Sequence, residues 1–216
     1  MTARIPILTT PLVTAALLLA GCAKQGDLTE DAGVTAVRTA CPTVGIPAAT
    51  GDITIFDPPA STDAAAIDVT ANMTNVRSTC SDSGTDVLTA ITFDVEGRRT
   101  RTDTARDVTI PYFLAVVRGG TAVTAKRLGQ VTLRFAAGQA RAQASGAATS
   151  VVARAAATLS DEAREALTRK RKPGEEDAAI DPLSRPEIRQ AVLRVTFEAL
   201  VGFQLTQAQL KYNATR

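Results

Sequence analysis

The chain has 216 residues, with 24 Lys and Arg against 22 Asp and Glu and no histidine. A net charge of +2 gives no electrostatic reason for a nucleic-acid partner. The missing histidine excludes Ser-His-Asp and Cys-His catalysis and most zinc sites.

The first positive residue is Arg4, and no acid precedes Asp27. An apolar stretch runs from Pro11 to Ala20, with Leu17, Leu18 and Leu19 in succession, and small residues follow. A basic start, an apolar core and small residues are the order of an export signal. The apolar stretch is short for a transmembrane helix, which needs roughly 20 residues. Leu19-Ala20-Gly21-Cys22 resembles the lipobox of bacterial lipoproteins, with leucine three places before the cysteine and two small residues between. A plain secretory signal with an incidental cysteine is the alternative.

The resemblance implies that residues 1–21 are a removed signal peptide and that Cys22 becomes the acylated first residue. Members of that family carry a diacylglyceryl group and usually an amide-linked acyl chain. Each buried methylene contributes about 0.8 kcal/mol, so several chains together anchor stably. In the enterobacterial members an aspartate just after the cysteine retains the protein in the inner membrane. Ala23 and Lys24 stand in the sorting positions here. The resemblance therefore implies the periplasmic face of the outer membrane in a host with two membranes. The lipid at Cys22 is the only bound group expected. Residues 22–33 are polar, include Gly26 and Gly33, and read as a flexible tether.

Cys41 and Cys80 remain. Exported chains meet an oxidising compartment, so a disulfide between them is the simplest reading. It would close a loop of about 40 residues, worth about 4 kcal/mol in chain entropy. Two buried thiols or a redox pair are the alternatives, although the chain has no CxxC motif.

From about residue 34 the apolar period becomes two. "DITIF" at 52–56 predicts a short strand before the "DPPAS" turn. In "AIDVTANMT" Ile67, Val69, Ala71 and Met73 alternate with polar residues, the pattern of a strand with one wet face. "VLTAITFDVE" repeats it, with Val87, Thr89, Ile91, Phe93 and Val95 facing inward. "VTIPYFLAVVR" is apolar on both sides and predicts a central strand, with Pro111 at a bulge or an unpaired position. Gly119-Gly120 predicts a hairpin into "TAVTAKR", and "QVTLRF" adds Val131, Leu133 and Phe135 in alternation. Residues 136–158 are alanine-rich, which favours helix by propensity, yet polar residues alternate there and Gly146 interrupts; one or two further strands are expected. With six Phe, two Tyr and no Trp, the core should be thin and β-branched.

The expected fold is mainly β with an α appendage: an antiparallel β-sandwich of about seven strands over 34–158, then a helical segment over 159–216. In strand count and length the sandwich resembles immunoglobulin and fibronectin type III modules, an analogy of architecture alone.

In the last third Ser160, followed by Asp161 and Glu162, predicts a helix N-terminus. Arg169-Lys170-Arg171-Lys172 would close that helix before Pro173-Gly174. Ser184 with Glu187 reads as a capping box for a second helix, with Ile188, Val192, Val195, Ala199 and Phe203 on its apolar face. Thr206 with Gln209 would cap a last short helix.

Arg98, Arg99, Arg101 and Arg106 surround one acid, Asp103. Arginine forks suit anionic lipid heads, phosphates or glycan carboxylates, so the four are the candidate anion-binding residues. They would equally serve as a charged edge that keeps sheets apart. Glu175, Glu176, Asp177 and Asp181 lack EF-hand spacing, so no metal is expected. The sequons at Asn72 and Asn213 are read as chance. No S-x-x-K or G-x-S-x-G motif is present. The expected function is that of a non-enzymatic, lipid-anchored interaction or scaffolding module with an envelope protein partner. The alternative is a binding module for a small ligand, lipid or glycan.

Overall fold

The computed structural model describes residues 28–29, 33–34, 39–169, 172, 174 and 180–215. The stretch read as a signal peptide and Cys22 lie outside the described residues, as do Lys170, Arg171, Glu175, Glu176 and Asp177. Residues 1–38 and 39–216 are separate compact units. In the first, Leu28–Thr29 (β1) pairs antiparallel with Gly33–Val34 (β2), within and just past the stretch read as a tether.

The second unit is a two-layer β-sandwich with helices near its C-terminus. One sheet has the order β3-β10-β7-β8, from Thr43–Gly45 (β3), Phe197–Phe203 (β10), Arg106–Arg118 (β7) and Ala122–Phe135 (β8). The other has the order β4-β5-β6-β9, from Asp52–Phe56 (β4), Ile67–Ser81 (β5), Asp86–Arg99 (β6) and Arg141–Ala153 (β9). All pairings in the two sheets are antiparallel except β3 with β10.

The period-two residues fill the space between the sheets. Val69, Ala71 and Met73 of β5 and Ile91, Phe93 and Val95 of β6 meet Ile110, Leu114, Val131, Leu133 and Phe135 of the facing sheet. A satellite cluster of Val87, Val116, Val152, Ala157 and Phe197 closes one end. Alternate residues of β6 are buried along its whole length, as its sequence predicts. β7 is a central strand. Pro111 lies opposite Gln130 without a register shift, and its carbonyl accepts from Gln204 N at 2.9 Å just past the end of β10. The missing donor therefore falls at an unpaired position, beyond the last β10 residue in register. Gly119 (φ 62°) and Gly120 (φ 78°) form the β7–β8 hairpin in the left-handed region, where a side chain is costly. The two runs read as separate strands after that turn are one 14-residue strand, β8. The alanine-rich stretch is strand for residues 141–153 and ends in a 3-10 turn, Arg154–Ala157.

The helical segment needs a correction. The helix expected to run from Ser184 through Phe203 stops at Val195, and Phe197–Phe203 is a strand. Phe197, Ala199, Val201 and Phe203 face the core, while on the other side Gly202 is buried and Glu198 and Leu200 are half-buried. A strand whose outer face is partly covered and partly apolar shows weak alternation, so its apolar run reads equally well as a helix face. β10 therefore belongs to the sandwich, as its second-ranked strand from one edge. The expected capping box is absent as well. Ser184 Oγ donates to Asp181 O at 2.7 Å, and Pro186 opens the helix Pro186–Val195 (α2). Asp181, set among the acids weighed for calcium, caps the preceding 3-10 turn through Leu183 N at 2.9 Å.

Two other caps are as predicted. Ser160 Oγ accepts from Ala163 N at 3.3 Å to start Asp161–Thr168 (α1). Thr206 and Gln209 exchange bonds, Thr206 N to Gln209 Oε1 at 2.9 Å and Gln209 N to Thr206 Oγ1 at 3.2 Å, to start Gln207–Thr215 (α3). α3 docks on the β3–β4 corner. Asn213 Nδ2 donates to Ala49 O at 2.9 Å and Asp52 O at 2.7 Å, and Tyr212 meets Phe56 edge-on at 5.1 Å. The second sequon asparagine thus has an internal role.

Candidate functional site

The four candidate arginines do not form one free cationic site. Arg99 is 3% exposed and faces inward from the end of β6. Its guanidinium donates to Gln139 O at 2.9 Å, Thr104 O at 2.7 Å, Ala136 O at 2.8 Å and Thr102 O at 3.3 Å. It also lies over the Phe135 ring at 5.2 Å. Arg106 pairs with the buried Asp68 at 2.9 Å. Arg101 pairs with Asp57 and reaches Asp68 Oδ1 at 3.5 Å. Arg98 and Arg101 are both exposed, and Arg98 lies on the outer face of β6 beside Arg141 of β9. Three of the four are thus engaged with groups of the protein itself at one end of the sandwich, Arg101 from an exposed position, and they join the loop after β6 to the β8–β9 connection and to β5.

Cys41 and Cys80 are bonded, with Cα atoms 6.1 Å apart and 39 residues apart in sequence. The bond ties the end of β5 in one sheet to the approach to β3 in the other.

The side of the sandwich where β8 and β9 lie is built differently. Both are edge strands of their sheets. Arg99 N donates to Ala140 O and Arg154 N to Thr85 O, which makes the even-numbered residues of β9 those that bond β6. The N–H and C=O groups of Gln143, Ser145, Ala147, Thr149 and Val151 therefore point out of the sheet. The same logic, from the Gln204 N to Pro111 O bond, turns Lys126, Leu128, Gln130, Thr132 and Arg134 of β8 outward. Two backbone rows thus run side by side. Between them lies a groove of about 590 Å³, lined by Gln130, Thr132 and Arg134 of β8 and Gln143, Ala144 and Ser145 of β9.

Glycines keep this side thin. Gly129 lies opposite Tyr112, and Gly146 opposite Phe93, and each ring covers the glycine so closely that a Cβ there would collide with it. The two rings meet edge-on at 5.0 Å, and Tyr112 Oη donates across the sandwich to Ala147 O at 2.7 Å. Gly146→Val should destabilise the fold by about 1–3 kcal/mol through overpacking. Tyr112→Phe, which removes only the bond to Ala147, should cost about 1 kcal/mol. Urea unfolding curves of the two variants check this; equal midpoints for Gly146→Val and wild type would remove the aromatic cover from the account.

No known protein family, no curated protein and no solved structure matches the chain. Function therefore rests on the site itself.

The strands β8 and β9 themselves carry cations and no acid. From Val108 to Ser160 the sequence has no acidic residue and carries Arg118, Lys126, Arg127, Arg134, Arg141 and Arg154. Arg134 meets Asp107 at 3.8 Å, but both side chains are largely exposed, so the pair contributes little. On the outer face of β6, Asp94 accepts from Asn75 Nδ2 at 2.7 Å and Ser145 Oγ at 2.8 Å. The Asn75 amide first, then the Ser145 hydroxyl, with the charge of Arg77 adding, hold its carboxyl below the ordinary carboxylate range. Asn75 adopts φ 51° at the register shift in β5, which aims its amide at Asp94.

Among the described residues no group of three or more His, Cys, Asp or Glu is placed to hold a metal. No described helix is long and apolar enough to cross a membrane. Sequence reasoning missed the open β8–β9 side. Its signal was the acid-free stretch, together with a β9 that has no proline and no charge between Arg141 and Arg154.

Proposed function

We propose that the protein is a lipid-anchored cell-envelope protein on the periplasmic face of the outer membrane, acting as a non-enzymatic interaction or scaffolding module. The open β8–β9 side carries the interaction reading: two long edge strands present outward-pointing backbone groups beside one groove. Such a row is a template for pairing with another chain. The anchor rests on Leu19-Ala20-Gly21-Cys22 and on the two further cysteines being joined to each other, which leaves Cys22 for lipid. A small ligand or glycan in the groove is the second reading, favoured by the polar lining of Gln130, Thr132, Gln143 and Ser145.

Growth with labelled palmitate tests the anchor. The wild-type chain should take up label and stay with the membrane fraction, and Cys22→Ser should do neither. Label in Cys22→Ser, or none in the wild type, would overturn the anchor. Co-purification from detergent-solubilised envelopes tests the interaction role, with Ala147→Lys as the variant that disturbs the β9 edge. A set of bound chains identical in the two samples would remove the β8–β9 side from that role.

A further inference from the structure

Four strands end the two sheets, and three of them carry a device against pairing with another chain. β3 has three residues. β4 has five, with a register shift between Ile55 and Phe56. β8 carries Lys126, Arg127 and Arg134 and faces a register shift between Val116 and Val117. Short length, edge cations and bulges are the usual protections. β9 is 13 residues long, and its one cation is its first residue, Arg141. From Ala142 to Ala153 it has no charge and no proline, and it pairs with β6 without a shift.

We propose that β9 pairs antiparallel with β9 of a second copy of this chain, joining two four-stranded sheets into one continuous sheet. The inference rests on the reading of this side as an interaction surface, and it names the occupant.

The row of outward-pointing groups is self-complementary about Ala147. A two-fold axis there sets Ala147 against Ala147 of the second copy. Ser145 then meets Thr149 of the second copy, and Gln143 meets Val151. None of these pairs opposes like charges, and Ser with Thr is a favourable cross-strand pair. At the ends Arg141 falls opposite Ala153 of the second copy, whose neighbour on β6 is Asp86, so the charges there are opposite. Roughly ten N–H···O bonds would form along the two rows. Ala147 O already accepts from Tyr112 on the groove side, and a carbonyl has a second lone pair for the new amide. The inward side chains Ala142, Ala144, Gly146 and Ala148 are small, so nothing bulky separates the strands. A strongly charged partner finds no complement on β9 itself. A second copy meets an equally neutral strand.

The test is sedimentation equilibrium of the full chain in a density-matched non-ionic detergent. The wild type should be a dimer. The Ala147 side chain is exposed, so Ala147→Lys leaves the protomer's packing intact and places two ammonium groups directly opposite each other. Self-association should fall roughly tenfold or more. Ala147→Glu should behave alike, and an equimolar mixture of A147K and A147E should regain the dimer. A wild type that stays monomeric at high micromolar concentration overturns the proposal. So does a dimer that Ala147→Lys does not weaken, since that contact lies elsewhere. If the wild type is monomeric and yet Ala147→Lys loses an envelope partner, self-pairing falls while the interaction role of this side stands.

Discussion

Replacing Arg99 by methionine should lower stability by about 3 kcal/mol and the thermal midpoint by roughly 10 °C. Methionine keeps much of the packing against Phe135 but carries no donor. The carbonyls of Thr102, Thr104, Ala136 and Gln139 then lose the guanidinium that gathers them. Unmade bonds to buried acceptors cost more than the same bonds add when made. The penalty falls on two loops together, because residues 102–104 and 136–139 have Arg99 as their shared partner. Arg99→Lys should recover only part of the loss, since an ammonium cannot spread its donors as the planar fork does. Arg98→Ala, one residue away on the exposed face, should stay within about 0.5 kcal/mol of wild type. Thermal melts followed by circular dichroism decide the matter. A melt of Arg99→Met within a degree or two of the wild type would show that the loops hold themselves.

Reduction of the Cys41–Cys80 bond, or Cys41→Ser with Cys80→Ser, should cost about 4 kcal/mol. A 39-residue separation fixes most of that figure, because it sets the loop-closure entropy returned to the unfolded chain. The native fold has its own stake in the bond. β3 is three residues long, and its one neighbour in the sheet is β10, in parallel pairing. The disulfide holds the chain just ahead of it against β5, so β3 should be the first element to fray on reduction. Guanidinium titrations with and without reductant measure the global effect. Hydrogen exchange at the amides of β3 measures the local one. Coincident titrations would sink the entropic argument, and unchanged exchange at β3 the local one.

The fold was largely legible where one face of a strand is wet. In β5 and β6 the alternation of Val69, Ala71 and Met73, and of Val87 through Val95, marks the inward side directly. The same rule failed for β10, where Gly202 is buried and Leu200 half-buried on the face opposite Val201 and Phe203. The arginine cluster was misleading for a related reason. Its charge is visible in the sequence, but the partners of Arg99 are backbone carbonyls, and Asp68 lies 33 residues before Arg101. No local pattern encodes either. The disulfide could be read because only two cysteines remained once Cys22 was set aside. The β8–β9 side could not, since an edge is defined by which strands lack a neighbour, and sheet order is a property of the whole chain.

The place of β10 sets the order of events when the chain is made. Phe197–Phe203 lies between β3 and β7, yet it comes after both in the chain. Until it emerges, β3 has no strand to rest on, and β7 has one open side. A nascent chain that stops short of residue 203 cannot complete the first sheet. Synthesis and folding of this sheet therefore run out of step, because two of its strands wait for a partner that is made well after both.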